Sequence, residues 1–280
     1  MVQSFARALV VAAIFAALVV ASGCRNGGVG VPGDLGGSGS GVITLAQRAT
    51  ASGFITDASA TLTRDNGPTP MVPCTTQTIA GGCTATTCTQ IMDLGTPPIV
   101  LPASAGVITI AGGASPLSFT PSPDDSTYSP SGSPMNLWSG GETLVASAPG
   151  GEVPGFMVSL TAPAAVTITA PSGAVTLPSG QDLVLSTTAT AMVRVSYEYI
   201  DATAMPTTTL DVACTVAPQS GSVVMPAAAL ALAPSGKRIT VAASTSALGT
   251  VDVGSWSIAF SASSNAAFPG GANGVSVTVQ

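Results

Sequence analysis

Carboxylates are the main side chains in this sequence that could act as catalytic acids and bases. The 280 residues include 13 Asp and Glu but no His, which excludes Ser-His-Asp and Cys-His catalysis and imidazole metal sites. Cleavage of a glycosidic bond would need two carboxyl groups held at a set separation. The nearest to a cluster in the sequence are Asp124, Asp125, Glu142 and Glu152. The alternative is that these acids cap turns and edge strands beside glycine pairs.

A long polar segment at 120–142, TPSPDDSTYSPSGSPMNLWSGGE, contains three of these acids and two aromatic residues. Loops of this length are often functional. If Tyr128 and Trp138 are exposed, they and Asp124 and Asp125 could form a ligand loop whose rings stack on a sugar or on a partner's apolar patch. A calcium site is a further alternative, although the segment contains no D-x-D-x-D-G loop. Otherwise Trp138 plugs the end of a sandwich and is buried.

Four cysteines, Cys74, Cys83, Cys88 and Cys214, lie beyond the N-terminal segment. In an oxidising compartment they allow up to two disulfides, with three possible pairings. The first three are close together in PCTTQTIAGGCTATTC, whose Gly-Gly pair lets the chain fold back, so we expect one disulfide inside this cluster. A four-thiolate zinc site is the alternative, but the spacing lacks a C-x-x-C knuckle. Cys214 lies on the apolar face of a predicted strand and could instead be a small buried hydrophobic residue.

The fifth cysteine, Cys24, follows an apolar run. The segment MVQSFARALVVAAIFAALVVASGC has a short region containing Arg7, an apolar stretch from about Ala8 to Val20, and small residues before Cys24. This order is typical of a secretory signal peptide, and the stretch is too short to favour a membrane-spanning helix. A plain secreted protein with a chance cysteine is the alternative.

The four residues Ala21-Ser22-Gly23-Cys24 resemble the lipobox of bacterial lipoproteins. The resemblance implies that residues 1–23 are a signal peptide, that the Cys24 sulfur forms a thioether to diacylglycerol, and that its freed amine is acylated. Two or three acyl chains, at about 0.8 kcal/mol per buried methylene, would hold the protein on membrane lipid. Arg25 follows the cysteine, where inner-membrane retention would use Asp, so the resemblance implies the outer membrane. We predict no other cofactor.

A low charge content distinguishes the rest of the chain. Charged residues make up 7% of the sequence and the net charge is -6, whereas an ordinary soluble domain has about 25% charged residues. The seven basic residues are scattered, and nucleic-acid binding, which needs clustered cations, is therefore not expected. Residues 24–41 comprise the lipidated cysteine and a Gly/Ser-rich stretch that predicts a flexible tether.

Short apolar or alternating runs separated by Gly, Pro and Ser predict an all-β fold with two β-sandwich-like units, at 42–163 and 164–280. The clearest strand is 192–200, where Val193, Val195 and Tyr197 share one face. Further strands are predicted at 106–111, 142–148, 156–161, 165–170, 182–188, 210–216, 238–243, 250–261 and 275–279. Their number and spacing in the second unit resemble an immunoglobulin or fibronectin type III-like sandwich, without the Cys…Trp…Cys arrangement of true immunoglobulin domains.

Two local features interrupt this pattern. The stretch MPAAALALAPSG at 225–236 predicts a helix of one or two turns, beginning at a proline and ended by another. In TVDVGSWSIAF the apolar residues shift from odd positions, such as Val253, to even positions, such as Trp256. A β-bulge at Gly254-Ser255 would place both sets in one core.

The mature region as a whole resembles the β-rich, Thr/Ala-rich outer-membrane lipoproteins of Gram-negative bacteria. That class implies a location and a fold but no activity. We therefore expect a lipid-anchored, non-enzymatic cell-envelope protein with a structural or binding role. One alternative is a glycan-binding or carboxylate-based carbohydrate-active protein, and another is an accessory subunit of an outer-membrane assembly with an envelope-protein partner.

Overall fold

Strands dominate the computed structural model, which describes residues 38–50, 53–64, 73–89, 101–124, 126–131, 136–204 and 206–280. Of these residues, 61% lie in strands and 3% in helices. Several sheets pack in a sandwich-like arrangement, which confirms the all-β prediction. None of the helices within these ranges is long and apolar enough to cross a membrane. The predicted signal peptide, Cys24, the tether as far as residue 37, and Asp125 lie outside the described residues.

Within the described ranges, the elements are strands and one short α-helix. They are β1 (Gly39–Thr50), β2 (Gly53–Arg64), β3 (Cys74–Ile79), β4 (Cys83–Thr89), β5 (Leu101–Pro102), β6 (Ile108–Ala111), β7 (Leu117–Pro121), β8 (Tyr128–Ser131), β9 (Thr143–Ala148), β10 (Phe156–Thr161), β11 (Ile168–Ala170), β12 (Val175–Leu177), β13 (Leu183–Thr187), β14 (Val193–Asp201), β15 (Thr208–Val216), β16 (Ser222–Met225), α1 (Ala227–Leu230), β17 (Arg238–Val253), β18 (Trp256–Asn265) and β19 (Val275–Val279). A 3-10 turn, Pro269–Gly271, precedes the last strand.

One large sheet runs through the whole described unit. Its strand order is β3-β4-β15-β14-β17-β18-β1-β2-β5, and β19 joins it beside β17 and pairs in turn with β12. The first strand, β1, lies parallel to β18, so strands from the two ends of the described chain are neighbours. Two smaller sheets, β10-β9-β6-β7-β8 and β11-β13-β16, complete the architecture.

Two hydrophobic cores lie between these sheets. The first joins β1, β2 and β18 to the five-stranded sheet, and its largest buried side chains include Ile43, Leu45, Leu62, Ile108, Phe119, Leu144 and Phe260. The second joins β4, β14, β15 and β17 to the three-stranded sheet, and includes Val193, Val195, Tyr197, Val212, Leu185, Val223 and Val241. Burying each such side chain contributes roughly 1.5–3 kcal/mol. Each core takes residues from both sides of residue 164.

The end of the predicted tether belongs to a strand. Residues 39–41 are the start of β1, where Gly39 and Gly41 are buried. A methyl group on Gly39 would collide with the ring of Trp256, and one on Gly41 would lie 2.6 Å from Ile258 Cδ1. The glycines in this stretch therefore make room for core side chains, which the Gly/Ser-rich composition alone could not distinguish from a flexible linker.

The predicted β-bulge at Gly254-Ser255 is wrong, because these residues form the turn of a hairpin. Val253 pairs directly with Trp256, so β17 and β18 are joined by a two-residue connection. Gly254 has a φ of +59°, a conformation that glycine adopts at the first position of such turns. The apolar residues shift from odd to even positions because they belong to two different strands that face the same core.

The other predicted elements differ in how closely they match. Strands predicted at 106–111, 142–148, 156–161, 182–188, 192–200, 210–216 and 275–279 correspond to β6, β9, β10, β13, β14, β15 and β19, while 165–170 shortens to β11. The regions predicted at 238–243 and 250–261 become the 16-residue β17 and the hairpin partner β18. The helix is a single turn, α1. The sequence pattern missed β1 to β4, whose many Thr, Ala and Gly residues weaken the apolar alternation. It also missed the short strands β5, β7, β8, β12 and β16.

Candidate functional site

The two disulfides hold strand β4 on both sides. Cys74 is bonded to Cys88, directly opposite it in the β3–β4 hairpin, with a Cα–Cα distance of 4.1 Å. Cys83 is bonded to Cys214, directly opposite it on β15, with a Cα–Cα distance of 3.9 Å. The prediction of one disulfide inside the Cys74–Cys88 cluster is confirmed.

These bonds overturn two alternatives. Cys214 is fully buried, as its apolar strand face predicted, but it is bonded and not a free thiol. The four-thiolate zinc site is also wrong, because all four sulfurs are used in disulfides. Disulfides form and persist in oxidising compartments such as the bacterial periplasm and cell surface.

Trp138 is buried, with 3% of its surface exposed. Its indole Nε1 donates a hydrogen bond of 3.0 Å to the Pro163 carbonyl, and its own carbonyl accepts a hydrogen bond from Gln47 Nε2. The ring belongs to the first hydrophobic core. This side chain is therefore part of a hydrophobic core and offers no exposed face for stacking on a sugar.

The remaining residues of the predicted ligand loop have structural contacts of their own. The Tyr128 hydroxyl accepts a hydrogen bond from the Ala105 amide at 2.8 Å and donates one to the Gly106 carbonyl at 3.1 Å. Asp124 lies in the turn between β7 and β8, where its amide donates to the Ser122 hydroxyl. Part of the predicted loop is thus strand β8. Tyr128 at the start of this strand ties it by two hydrogen bonds to the chain segment before β6.

Glu142 and Glu152 also make contacts that support the fold. Glu142 accepts hydrogen bonds from the Ser139 and Gly140 amides, and these donors lower the pKa of its carboxyl group. Glu152 accepts a hydrogen bond from the Ser104 amide at 3.1 Å and forms an ion pair with Arg64 at 3.1 Å. Across the described ranges no three Asp, Glu, Cys or His side chains are grouped as metal ligands would be.

The structure brings together three charged side chains whose proximity the sequence analysis did not predict. Glu198 on β14 lies directly opposite Asp211 on β15, and Arg194 forms an ion pair with Asp211 at 3.5 Å. Burial raises the pKa of both carboxyl groups, Asp211 raises that of Glu198 further, and Arg194 opposes the shift at Asp211. The alternation in 192–200 placed Arg194 and Glu198 on one face, but only strand pairing reveals their partner.

Comparisons with known proteins identify no family for this chain. No family model matches the sequence, and no curated protein matches it. Among solved structures, a chain from a study described as "Ca2+-stabilized adhesin helps an Antarctic bacterium reach out and bind ice" is 12% identical with a TM-score of 0.15, covering 88% of this chain and 66% of that chain. With a TM-score this low, the function has to be argued from this chain's own residues.

Proposed function

We propose that this chain is a lipid-anchored cell-envelope protein with a non-catalytic structural or binding role. The observation that supports this most strongly is the cysteine count. The sequence contains five cysteines, and the disulfides Cys74–Cys88 and Cys83–Cys214 use four of them. Cys24 therefore has no cysteine left in this chain with which to form a bond, and it stands where a lipobox-like segment requires a sulfur for acylation.

The two disulfides support the same proposal from a second direction. An exported chain meets an oxidising environment, in which these bonds form and persist. A lipid attached to Cys24, followed by the short Gly/Ser-rich stretch, would place the β unit close to the membrane surface. The absence of Asp after Cys24 favours the outer membrane within this proposal.

The non-catalytic role is supported by how the candidate catalytic groups are used. The sequence has no histidine. Glu142 accepts hydrogen bonds from amides of its own turn, and Glu152 accepts one from the Ser104 amide and pairs with Arg64. Trp138, the ring proposed to hold a sugar, lies in the core. These contacts support a structural role for the described residues of the 120–142 segment.

The test is to express the full chain in a Gram-negative bacterium and compare it with Cys24→Ala. We expect the wild type to partition into the detergent phase and its N-terminal peptide to carry acyl groups by mass spectrometry. Cys24→Ala should lose the lipid and accumulate as an uncleaved precursor. The matched control is Cys74→Ala/Cys88→Ala, which removes two sulfurs but should keep the lipid. A Cys24→Ala protein that is processed and partitions like the wild type would refute the proposal.

A further inference from the structure

A cavity of about 300 Å3 opens at one end of the second core. Its wall is the inner face of the large sheet, and its rim is the chain that follows α1. The lining side chains are Gln77, Thr87, Tyr199, Asp201, Thr208, Leu210, Leu232 and Pro234. Cavities that bind small ligands have volumes of about 300–1,000 Å3, so this one suits a single ring rather than a large ligand.

Strand register explains why these residues meet. Tyr199 of β14 lies opposite Leu210 of β15, which lies opposite Thr87 of β4. Asp201 lies opposite Thr208 one step further along the same face. The cavity is therefore the last layer of the inner face, where the core side chains give way to polar ones.

Two tyrosines mark the change from core to cavity. Tyr197 is buried and its hydroxyl donates a hydrogen bond of 2.8 Å to the Ala229 carbonyl, which ties the sheet to α1. Tyr199, two residues further on the same strand face, is half-buried and lines the cavity. Within the described residues its hydroxyl has no hydrogen-bond partner, so the ring and the hydroxyl are both available to a ligand.

Other polar groups in the cavity are similarly available. The structure gives the side chains of Gln77, Thr87 and Thr208 no hydrogen-bond partner among the described residues. Asp201 uses one oxygen, Oδ1, to accept hydrogen bonds from the Thr203 amide and hydroxyl and from the Ala204 amide. Its other oxygen is free of such contacts. The cavity thus presents donors from the amide and hydroxyls, and acceptors from all of these groups.

Among the side chains that line the cavity, Asp201 alone is charged, so the lining is mostly neutral and polar. Asp201 is its one carboxylate, and hydrogen bonds from Thr203 together with the nearby Lys237 lower the pKa of its carboxyl group. One carboxylate among otherwise neutral lining side chains supplies little of the charge that a cation site needs. No cluster of metal-ligating side chains occurs in the described ranges, this cavity included.

We propose that this cavity binds a monosaccharide unit of a neutral glycan. A sugar ring has an apolar C–H face that packs on an aromatic ring, and Tyr199 with Leu210 supplies that surface. Its adjacent hydroxyl groups each donate and accept hydrogen bonds, which matches the mixture of Gln77, Thr87, Thr208 and the free oxygen of Asp201. The inference names a ligand class for the binding role proposed above and in that sense rests on it, but the cavity is remote in sequence from Cys24.

The test uses saturation-transfer NMR on the full chain in a detergent without a sugar headgroup. The probes are the methyl glycosides of glucose, galactose and mannose, and N-acetylglucosamine. We expect at least one to bind, and Tyr199→Ala to weaken its affinity by about tenfold because the stacking surface is lost. Gln77 is exposed, so Gln77→Ala should leave folding intact. This variant should weaken sugar binding about threefold or more.

A matched pair of threonines on one strand is the control. Thr208 lines the cavity, whereas its neighbour Thr209 points to the opposite face of β15. Thr208→Ala should weaken sugar binding and Thr209→Ala should leave it unchanged, with thermal unfolding confirming that both are folded. Cys24→Ala should bind the sugar with wild-type affinity, which separates this inference from the lipid anchor.

Three results would overturn the inference. The first is that none of the four sugars binds the wild type. The second is that binding survives unchanged in both Tyr199→Ala and Gln77→Ala, which would place the sugar elsewhere. The third is that calcium chloride perturbs the Asp201 region while no sugar does, which would make the cavity a cation site.

Discussion

Cys83 and Cys214 lie directly opposite each other on β4 and β15, fully buried and bonded, although 131 residues separate them in the sequence. The bond attaches a hairpin from the first half of the chain to a strand from the second half. It therefore closes a much longer loop than Cys74–Cys88, whose two residues are 14 apart.

We predict that the two disulfides contribute unequally to stability. In the chain-entropy description, removing the 131-residue link costs about 5 kcal/mol and removing the 14-residue link costs about 3 kcal/mol. Urea unfolding of Cys83→Ala/Cys214→Ala and of Cys74→Ala/Cys88→Ala measures both. Equal losses, or a larger loss from the exposed hairpin pair, would contradict the prediction.

We predict that Gly39 tolerates no side chain. Gly39→Ala would drive a methyl group into the Trp256 ring, and overpacking of this kind typically costs about 1–3 kcal/mol. The control is Gly173→Ala, because nothing lies within 4 Å of the methyl group that it adds. Thermal unfolding should show a lower Tm for Gly39→Ala and little change for Gly173→Ala. A wild-type Tm for Gly39→Ala would mean that β1 is not packed on β18 as described.

We predict that Trp138 stabilises the folded protein and takes no part in sugar binding. Trp138→Phe keeps most of the apolar contact but removes the donor to the Pro163 carbonyl, and an unsatisfied buried acceptor costs about 1–3 kcal/mol. The free energy of unfolding should fall by that amount. Sugar binding at the Tyr199 cavity should be unchanged, since Trp138 belongs to the other core. If Trp138→Phe kept full stability and lost sugar binding, the 120–142 segment and not the Tyr199 cavity would be the sugar-binding site.

We predict that Glu198→Gln stabilises the protein at neutral pH. Burial and Asp211 raise the pKa of Glu198 above its ordinary value of 4.5. A carboxyl group with a raised pKa favours the folded state below its ordinary pKa, and loses that contribution as the pH rises through the raised value. The variant should therefore unfold at a higher urea concentration than the wild type at pH 7, with the difference vanishing below pH 4.5.

We predict the opposite effect on stability for Glu142→Gln. The amides of Ser139 and Gly140 lower the pKa of Glu142, so its contribution to stability is present above its ordinary pKa and is lost as the pH falls through the lowered value. This variant should be less stable than the wild type at pH 7 and approach it in acid. Urea midpoints measured at both pH values test the pair, and shifts of the same sign would refute the assignment.

The alternation within single strands could be predicted because it is a local property. The apolar and polar residues of 192–200 alternate with period two, so Tyr197 faces a core in any sheet that contains this strand. The signal peptide rests on an equally local pattern, the order of Arg7, the apolar run and Cys24, and it stays a prediction because these residues lie outside the described ranges. Neither pattern depends on which strand pairs with the segment that contains it.

Neighbours across the sheets could be decided only by the tertiary structure. Gly39 belongs to a strand and not to a tether because Trp256 lies over it, and Glu198 meets Asp211 because β14 pairs with β15 in one register. The cavity around Tyr199 depends on the same pairing. Strand partners are chosen by which apolar faces can share a core, and that choice depends on residues far apart in the sequence, such as Cys83 and Cys214.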